Sequence, residues 1–138
     1  MKVFLDTNIL LDIFTVREPY YTAASRICNR VEIGVVDGYV SAISFNNSEY
    51  VVRRIAGAAA ARESLKSMRD CFRVVPLDEQ ILNRAIDSDF TDFEDAIQYF
   101  SAQRAQADCL LTRNVRHFPV EPIAVQTPEQ FLAVNPAV

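Results

Sequence analysis

Histidine is nearly absent from this chain of 138 residues: His117 stands alone. Cysteine is scarce too, and Cys28, Cys71 and Cys109 are widely separated with no C-x-x-C pair. Together these shortages exclude a zinc finger or a Cys/His metal cage, whose ligands recur at short fixed spacings. A Cys–His nucleophile pair would have to use His117, and no local signature supports one. The thiols are expected to be reduced and buried, because free cysteine packs as a small apolar residue.

Glycine and proline are also sparse, at 3 and 6 residues, while half the chain is apolar, which excludes disorder and low complexity. Long apolar runs are missing, so no segment can cross a bilayer as a helix. The opening Met1-Lys2-Val3-Phe4-Leu5-Asp6 meets an acid too early for a signal peptide. The expectation is a soluble, cytoplasmic protein without a membrane partner, built as one domain over residues 1–138. Positive charge is in deficit, with 14 Lys and Arg against 18 Asp and Glu, a net charge of −4. That balance opposes nucleic-acid binding unless acids are concentrated at a metal site. The basic cluster Arg53, Arg54, Arg62, Lys66 and Arg69 reads as a solvated helix face.

What is present is an alternation of short apolar runs and amphipathic stretches. Strands are expected at Val3–Asp6, Tyr39–Ala42, Phe72–Val75, Cys109–Thr112 and Ile123–Val125. Helices are expected over Thr7–Phe14, Pro19–Val31, Ser44–Ile55, Ala58–Asp70, Asp78–Ile86, Asp92–Gln106 and Thr127–Val134. Thr91 and Glu94 have the spacing of a capping box at the start of the sixth helix, whose core stripe reads Phe93, Ala96, Ile97 and Phe100. The alternation predicts an α/β fold with a mostly parallel sheet flanked by helices on both faces.

Sites in such folds form where strands end and helices begin. Asp6 ends the first strand, Thr112 and Asn114 follow the late one, and Asp92 and Asp95 open a helix. At about 100° per residue Asp92 and Asp95 share one flank, while Glu94 points elsewhere. Each acid has an ordinary alternative: the helix dipole for Asp92 and Asp95, helix capping for Asp6. Asp6 is the most informative, because a carboxylate ending a buried strand must be paired, solvated or bound to metal. Acids gathered on one edge suit Mg²⁺ or Mn²⁺, which take oxygen ligands and bridge to phosphate. Such an ion can orient and deprotonate a water for attack on phosphorus without any histidine.

Three segments carry a family resemblance. Val3-Phe4-Leu5-Asp6-Thr7-Asn8-Ile9-Leu10-Leu11-Asp12 resembles the opening signature of PIN-domain proteins. Asp92-Phe93-Glu94-Asp95-Ala96-Ile97-Gln98 resembles their central acidic helix start, and Leu110 to Phe118 their late strand-and-turn motif. The order and spacing also match, and the alternating pattern covers nearly the whole chain. The resemblance implies a metal-dependent endoribonuclease of the VapC toxin kind, using Mg²⁺ or Mn²⁺. It implies RNA as substrate, an antitoxin protein as partner, and a homo-oligomer. By position Asp6 and Asp95 match the first and third acids, Asp92 a supporting one, and Thr112 and Asn114 polar residues lining the site.

Two departures from the family pattern stand out. The second acid of the family sits before a tyrosine in Glu-x-x-Tyr, and here the register reads Asn47-Ser48-Glu49-Tyr50. Helical spacing, with Val51, Val52 and Ile55 as the core stripe, puts Asn47 and Glu49 on opposite flanks, with Asn47 in the family register. His117 stands where many relatives carry another acid. Both departures support the alternative of a catalytically weakened or inactive PIN-fold binding or assembly module. Two other classes fit poorly. A haloacid-dehalogenase-like phosphatase needs a second Asp where Asn8 stands, and a receiver-like domain needs a lysine where Arg113 is the nearest base.

Overall fold

The computed structural model describes residues 1–136, so the last two positions of the expected domain lie outside the described residues. The elements run β1 (Lys2–Leu5), α1 (Thr7–Phe14), α2 (Tyr21–Glu32), β2 (Asp37–Ser41), α3 (Ala42–Ala56), α4 (Ala58–Cys71) and β3 (Arg73–Val75). They continue with α5 (Glu79–Ile86), α6 (Phe93–Arg104), β4 (Cys109–Leu111), a 3-10 turn at Val115–His117, β5 (Ala124–Gln126) and α7 (Pro128–Val134). The sheet is parallel throughout, in the order β3-β2-β1-β4-β5. The alternation of strand and helix therefore produces the expected α/β sandwich of helices around a parallel sheet.

Side chains alternate across the central strands. Val3 and Leu5 of β1 and Cys109 and Leu111 of β4 join the core beneath α1, α2, α4 and α7. Phe4 and Leu110 point the other way, into the core formed with α5 and α6. These strands are apolar on both faces because both faces are covered, and each fully buried side chain of this size contributes about 1.5–3 kcal/mol.

One glycine is required by close packing. A Cβ added at Gly38 in β2 would lie 2.8 Å from both Phe72 and Val31. Gly38→Ala is expected to lower stability by about 1–3 kcal/mol through overpacking, measurable as a shifted urea midpoint. At the junction of α3 and α4, Gly57 takes φ +94°, a conformation that lets the two helices follow each other without a loop.

Several expected details differ. The capping box at Thr91 does not form: Asp92 is the N-cap of α6, accepting from the Asp95 backbone N–H at 2.9 Å. Aspartate is as strong a cap as threonine and sits one residue closer to the first buried turn. A complete capping box occurs instead at Thr127 and Gln130, opening α7. Phe93 is half exposed, and the buried face of α6 includes Gln98, Tyr99 and Ser101 as well as Ala96 and Ile97. α3 starts earlier than expected, at Ala42, capped by Ser41. Its inward face is Ser44, Ser48 and Val52, whereas Ile55 is exposed.

Candidate active site

The order of strands fixes where a site can lie. From β1 the chain builds outward through β2 and β3, then returns to the other side of β1 with β4 and β5. The crevice at the carboxyl ends of β1 and β4 is thus the topological switch point, the place where open parallel sheets bind ligands. Asp6 directly follows β1 and Thr112 directly follows β4, and their side chains meet there: Thr112 Oγ1 donates to Asp6 Oδ2 at 2.8 Å.

Asp6 is 4 % exposed and serves two purposes. Its Oδ1 caps α1 by accepting from the Thr7 N–H at 2.7 Å, so the capping alternative is realised. Its Oδ2 also accepts, at 3.4 Å, from the Asn8 amide. Burial pushes its pKa up to about 6, and the charges of Asp95 and Glu94 push the same way, against the Thr112 and Thr7 hydrogen bonds. Asp95 is likewise raised, first by burial and then by Asp92, while His117 opposes the shift. Desolvation therefore outweighs like-charge repulsion in both.

The crevice opens into a cleft of about 550 Å³ walled by Asp6, Asn8, Asn47, Asp92, Asp95 and Asn114, together with Glu49 and Glu94. The candidates named from sequence converge here, Thr112 from just beneath through Asp6. Thr112 Oγ1 also accepts from the Asn114 N–H at 3.1 Å, which ties the late turn to the site. His117 approaches from the rim, with Nδ1 3.0 Å from Asp95 Oδ2.

Two expectations about orientation are corrected. Glu94 does not point elsewhere; it lines the cleft beside Asp92 and Asp95, because Asp92 is the N-cap and Glu94 and Asp95 both fall in the first turn of α6, at the helix end that faces the cleft. Asn47 and Glu49 do not separate to opposite sides; both line the cleft. Of the expected stripe Val51, Val52 and Ile55, Val52 is buried but Ile55 is exposed, since α3 packs largely through its serines: Thr7 Oγ1 and Ser44 Oγ are 2.8 Å apart, and Gln98 donates to both. Turning that polar face inward swings Asn47 and Glu49 together toward the opening. Sequence also missed Asn46, a further lining residue. An inward-facing Ser44–Ser48–Val52 series at helical spacing was the signal available, hidden by the expectation that buried faces are apolar.

Glu49 is not free. Arg53, one turn further on, holds its Oε2 at 2.6 Å. The donor set nevertheless fits a hard divalent cation: carboxylates and amides dominate the wall, and no lysine or arginine lies among the described lining residues. Because Asn47 places an uncharged oxygen in this wall, Asn47→Asp is expected to raise Mn²⁺ affinity severalfold. Glu49→Gln, by contrast, should change it less than twofold. Calorimetric titration of both variants distinguishes them, and loss of binding in Glu49→Gln alone would reverse the assignment.

The comparisons with known proteins agree with this fold. The family model described as "PIN domain" matches residues 2–116. The chain is 26% identical over 135 residues to "Ribonuclease VapC1" of Aquifex aeolicus, covering 94% of this chain and 92% of that protein. Its fold is similar to a chain of a toxin–antitoxin complex from Klebsiella pneumoniae, at 24% identity and TM-score 0.68, over 91% of this chain and 97% of that one. It is similar as well to a chain of VapBC2 from Rickettsia felis, solved bound to a promoter DNA fragment, at 13% identity and TM-score 0.67, over 92% and 98% of the two chains. With its acids at the switch point and the family match spanning most of its length, this chain belongs to the PIN-domain family.

Proposed function

We propose that the protein is a divalent-metal-dependent endoribonuclease of the VapC kind, with Asp6 and Asp95 as metal ligands, Asp92 in support, and Mg²⁺ or Mn²⁺ as the ion. The observation that carries this reading is the buried Asp6, raised to about 6 and facing further acids across one cleft. Such an arrangement is costly without a cation and favourable with one. The bound ion would supply charge neutralisation at the phosphate and a water made more acidic.

The residues around it have separable tasks. Asp6 and Asp95 hold the position, Thr112 fixes the rotamer of Asp6, and Asp92 keeps Asp95 at a helix start by capping it. Asn8, Asn47 and Asn114 offer neutral amides to the cleft, suited to orienting a phosphodiester without adding repulsion. His117 Nδ1, 3.0 Å from Asp95 Oδ2, orients that carboxylate from the rim. Beside the cleft runs a groove of about 740 Å³, with an apolar floor that includes Phe45, Leu65 and Val74 and with Arg62, Lys66 and Arg69 along it, sharing Asn46 and Glu49 with the cleft. A basic wall adjoining an acidic centre suits an RNA backbone that delivers one phosphate to the metal, despite the net charge of −4.

An antitoxin partner is part of the same reading, supported by the solved VapBC2 and toxin–antitoxin relatives, and a homo-oligomer is part of it on the family resemblance alone. The alternative of an inactive binding module loses ground: Glu94 restores an acid to the cleft that lacks one at Asn47. The end groups of the cleaved RNA test the chemistry. Attack by water leaves no 2′,3′-cyclic phosphate, whereas cyclic ends would mean that the 2′-hydroxyl attacks and that the metal-bound-water reading is wrong.

A further inference from the structure

Far from the acidic cleft, two cysteines that sequence spacing kept apart come together. Both α2 and α4 run antiparallel to the strands that follow them, so their C-terminal ends lie at the amino edge of the sheet, opposite the switch point. Glu32 is the last residue of α2 and Cys71 the last of α4. Cys28, one turn before Glu32, shares its helix face. Cys28 Sγ is 3.8 Å, and Cys71 Sγ 3.6 Å, from the same oxygen, Glu32 Oε1. One ligand atom from each of the three lies within 4.8 Å of the others.

We propose that Cys28, Cys71 and Glu32 form a binding site for a thiophilic divalent cation, Zn²⁺ in the first instance, which ties the end of α2 to the end of α4. With Zn–S near 2.3 Å and Zn–O near 2.1 Å, a tetrahedral site has S···O edges of roughly 3.6 Å and an S···S edge of roughly 3.8 Å. The observed S···O distances of 3.8 and 3.6 Å already match the first of these. Thiolate sulfur selects Zn²⁺ over Mg²⁺ or Mn²⁺, so the site differs in chemistry from the acidic cleft as well as in place.

The surroundings favour a cation. Two helix C-termini direct their partial negative charge here. Among the described residues no lysine, arginine or histidine pairs with Glu32. The charged groups acting on the thiols are acids, Glu32 on both and Asp70 on Cys71. Two weak S–H···O hydrogen bonds to one oxygen are the ordinary use of such a cluster, and they leave the carboxylate without a counter-ion. Binding is balanced by proton release: Zn²⁺ replaces the protons of both thiols, joins the Glu32 carboxylate, and takes a water in the fourth position.

Titrating the reduced, chelator-stripped full chain with Co²⁺ tests this. The expected result is an intense near-ultraviolet thiolate-to-Co²⁺ band saturating at one equivalent and displaced by Zn²⁺. Asp6→Asn/Asp95→Asn should keep the band, Cys28→Ser and Cys71→Ser should each lose it, and Glu32→Gln should weaken binding about tenfold or more. A second measurement needs no substitution: Zn²⁺ should slow alkylation of Cys28 and Cys71 in the unaltered chain by more than tenfold. A band that survives Cys28→Ser/Cys71→Ser, absence of both band and protection at micromolar metal, or recovery of the two cysteines as a disulfide that Zn²⁺ does not prevent would each overturn the site.

Discussion

Replacing Asp6 with asparagine is expected to make the metal-free protein more stable at neutral pH while lowering metal-dependent cleavage more than about 100-fold. The two effects have one origin. Burial raises Asp6 from 3.8 to about 6, so between those values the folded chain holds a proton that the unfolded chain has released. Stability from this group therefore falls as pH rises through that window and stays low above it. At about 1.4 kcal/mol per unit the shift corresponds to about 3 kcal/mol at pH 7. Asparagine can still accept from the Thr7 N–H through Oδ1, while its Nδ2 donates to the Thr112 hydroxyl, which reverses its role, so the cap and the rotamer survive while the charge is removed. The expected activity loss exceeds the 10–100-fold typical of groups that merely support a ligand. Denaturant titrations at pH 4 and pH 7 should show the variant's advantage at the higher pH only. A variant clearly less stable at pH 7 would mean that the Asp6 carboxylate is a structural partner.

Arg113→Met should have the largest purely structural effect, a loss of about 3 kcal/mol. Asp12 is 1 % exposed, and its carboxylate oxygens make no hydrogen bond of good geometry. Arg113 Nε at 2.9 Å supplies the main compensating charge, and the same guanidinium lies 4.5 Å from the Tyr20 ring centroid. Burial raises the Asp12 pKa and Arg113 lowers it, so removing the arginine leaves an acid with little compensation. Breaking buried pairs costs about 3–5 kcal/mol; Asp12 is sealed but shallow, which argues for the lower end. Adding Asp12→Asn to Arg113→Met should recover more than half of the loss in chemical denaturation. Strict additivity of the two would show that the residues do not interact.

The sheet was readable because each central strand is a short apolar run and each long helix has its own period. Asp6 was readable because a carboxylate at the end of such a run has few inexpensive fates. What misled was α3, whose buried side is polar. Ser44 meets Thr7 and Gln98 in a hydrogen-bonded layer between helices, so hydrophobic periodicity pointed at Ile55, which is exposed. That misjudged rotation accounts for the expected separation of Asn47 and Glu49. The cap at Asp92 rather than Thr91 similarly explains why Glu94 belongs to the cleft. Cys28 and Cys71 were beyond reach for another reason: their meeting depends on how α2 packs on α4, which local spacing does not encode.

The most direct test of the central claim is RNA cleavage by the purified chain, freed of any bound partner, with the metal as the variable. Cleavage should be absent in chelator, appear on adding Mn²⁺ or Mg²⁺, and be lost in both Asp6→Asn and Asp95→Asn while RNA binding is kept. Cleavage that persists in chelator, or in both variants with metal present, would contradict the assignment of Asp6 and Asp95 as the metal-holding pair.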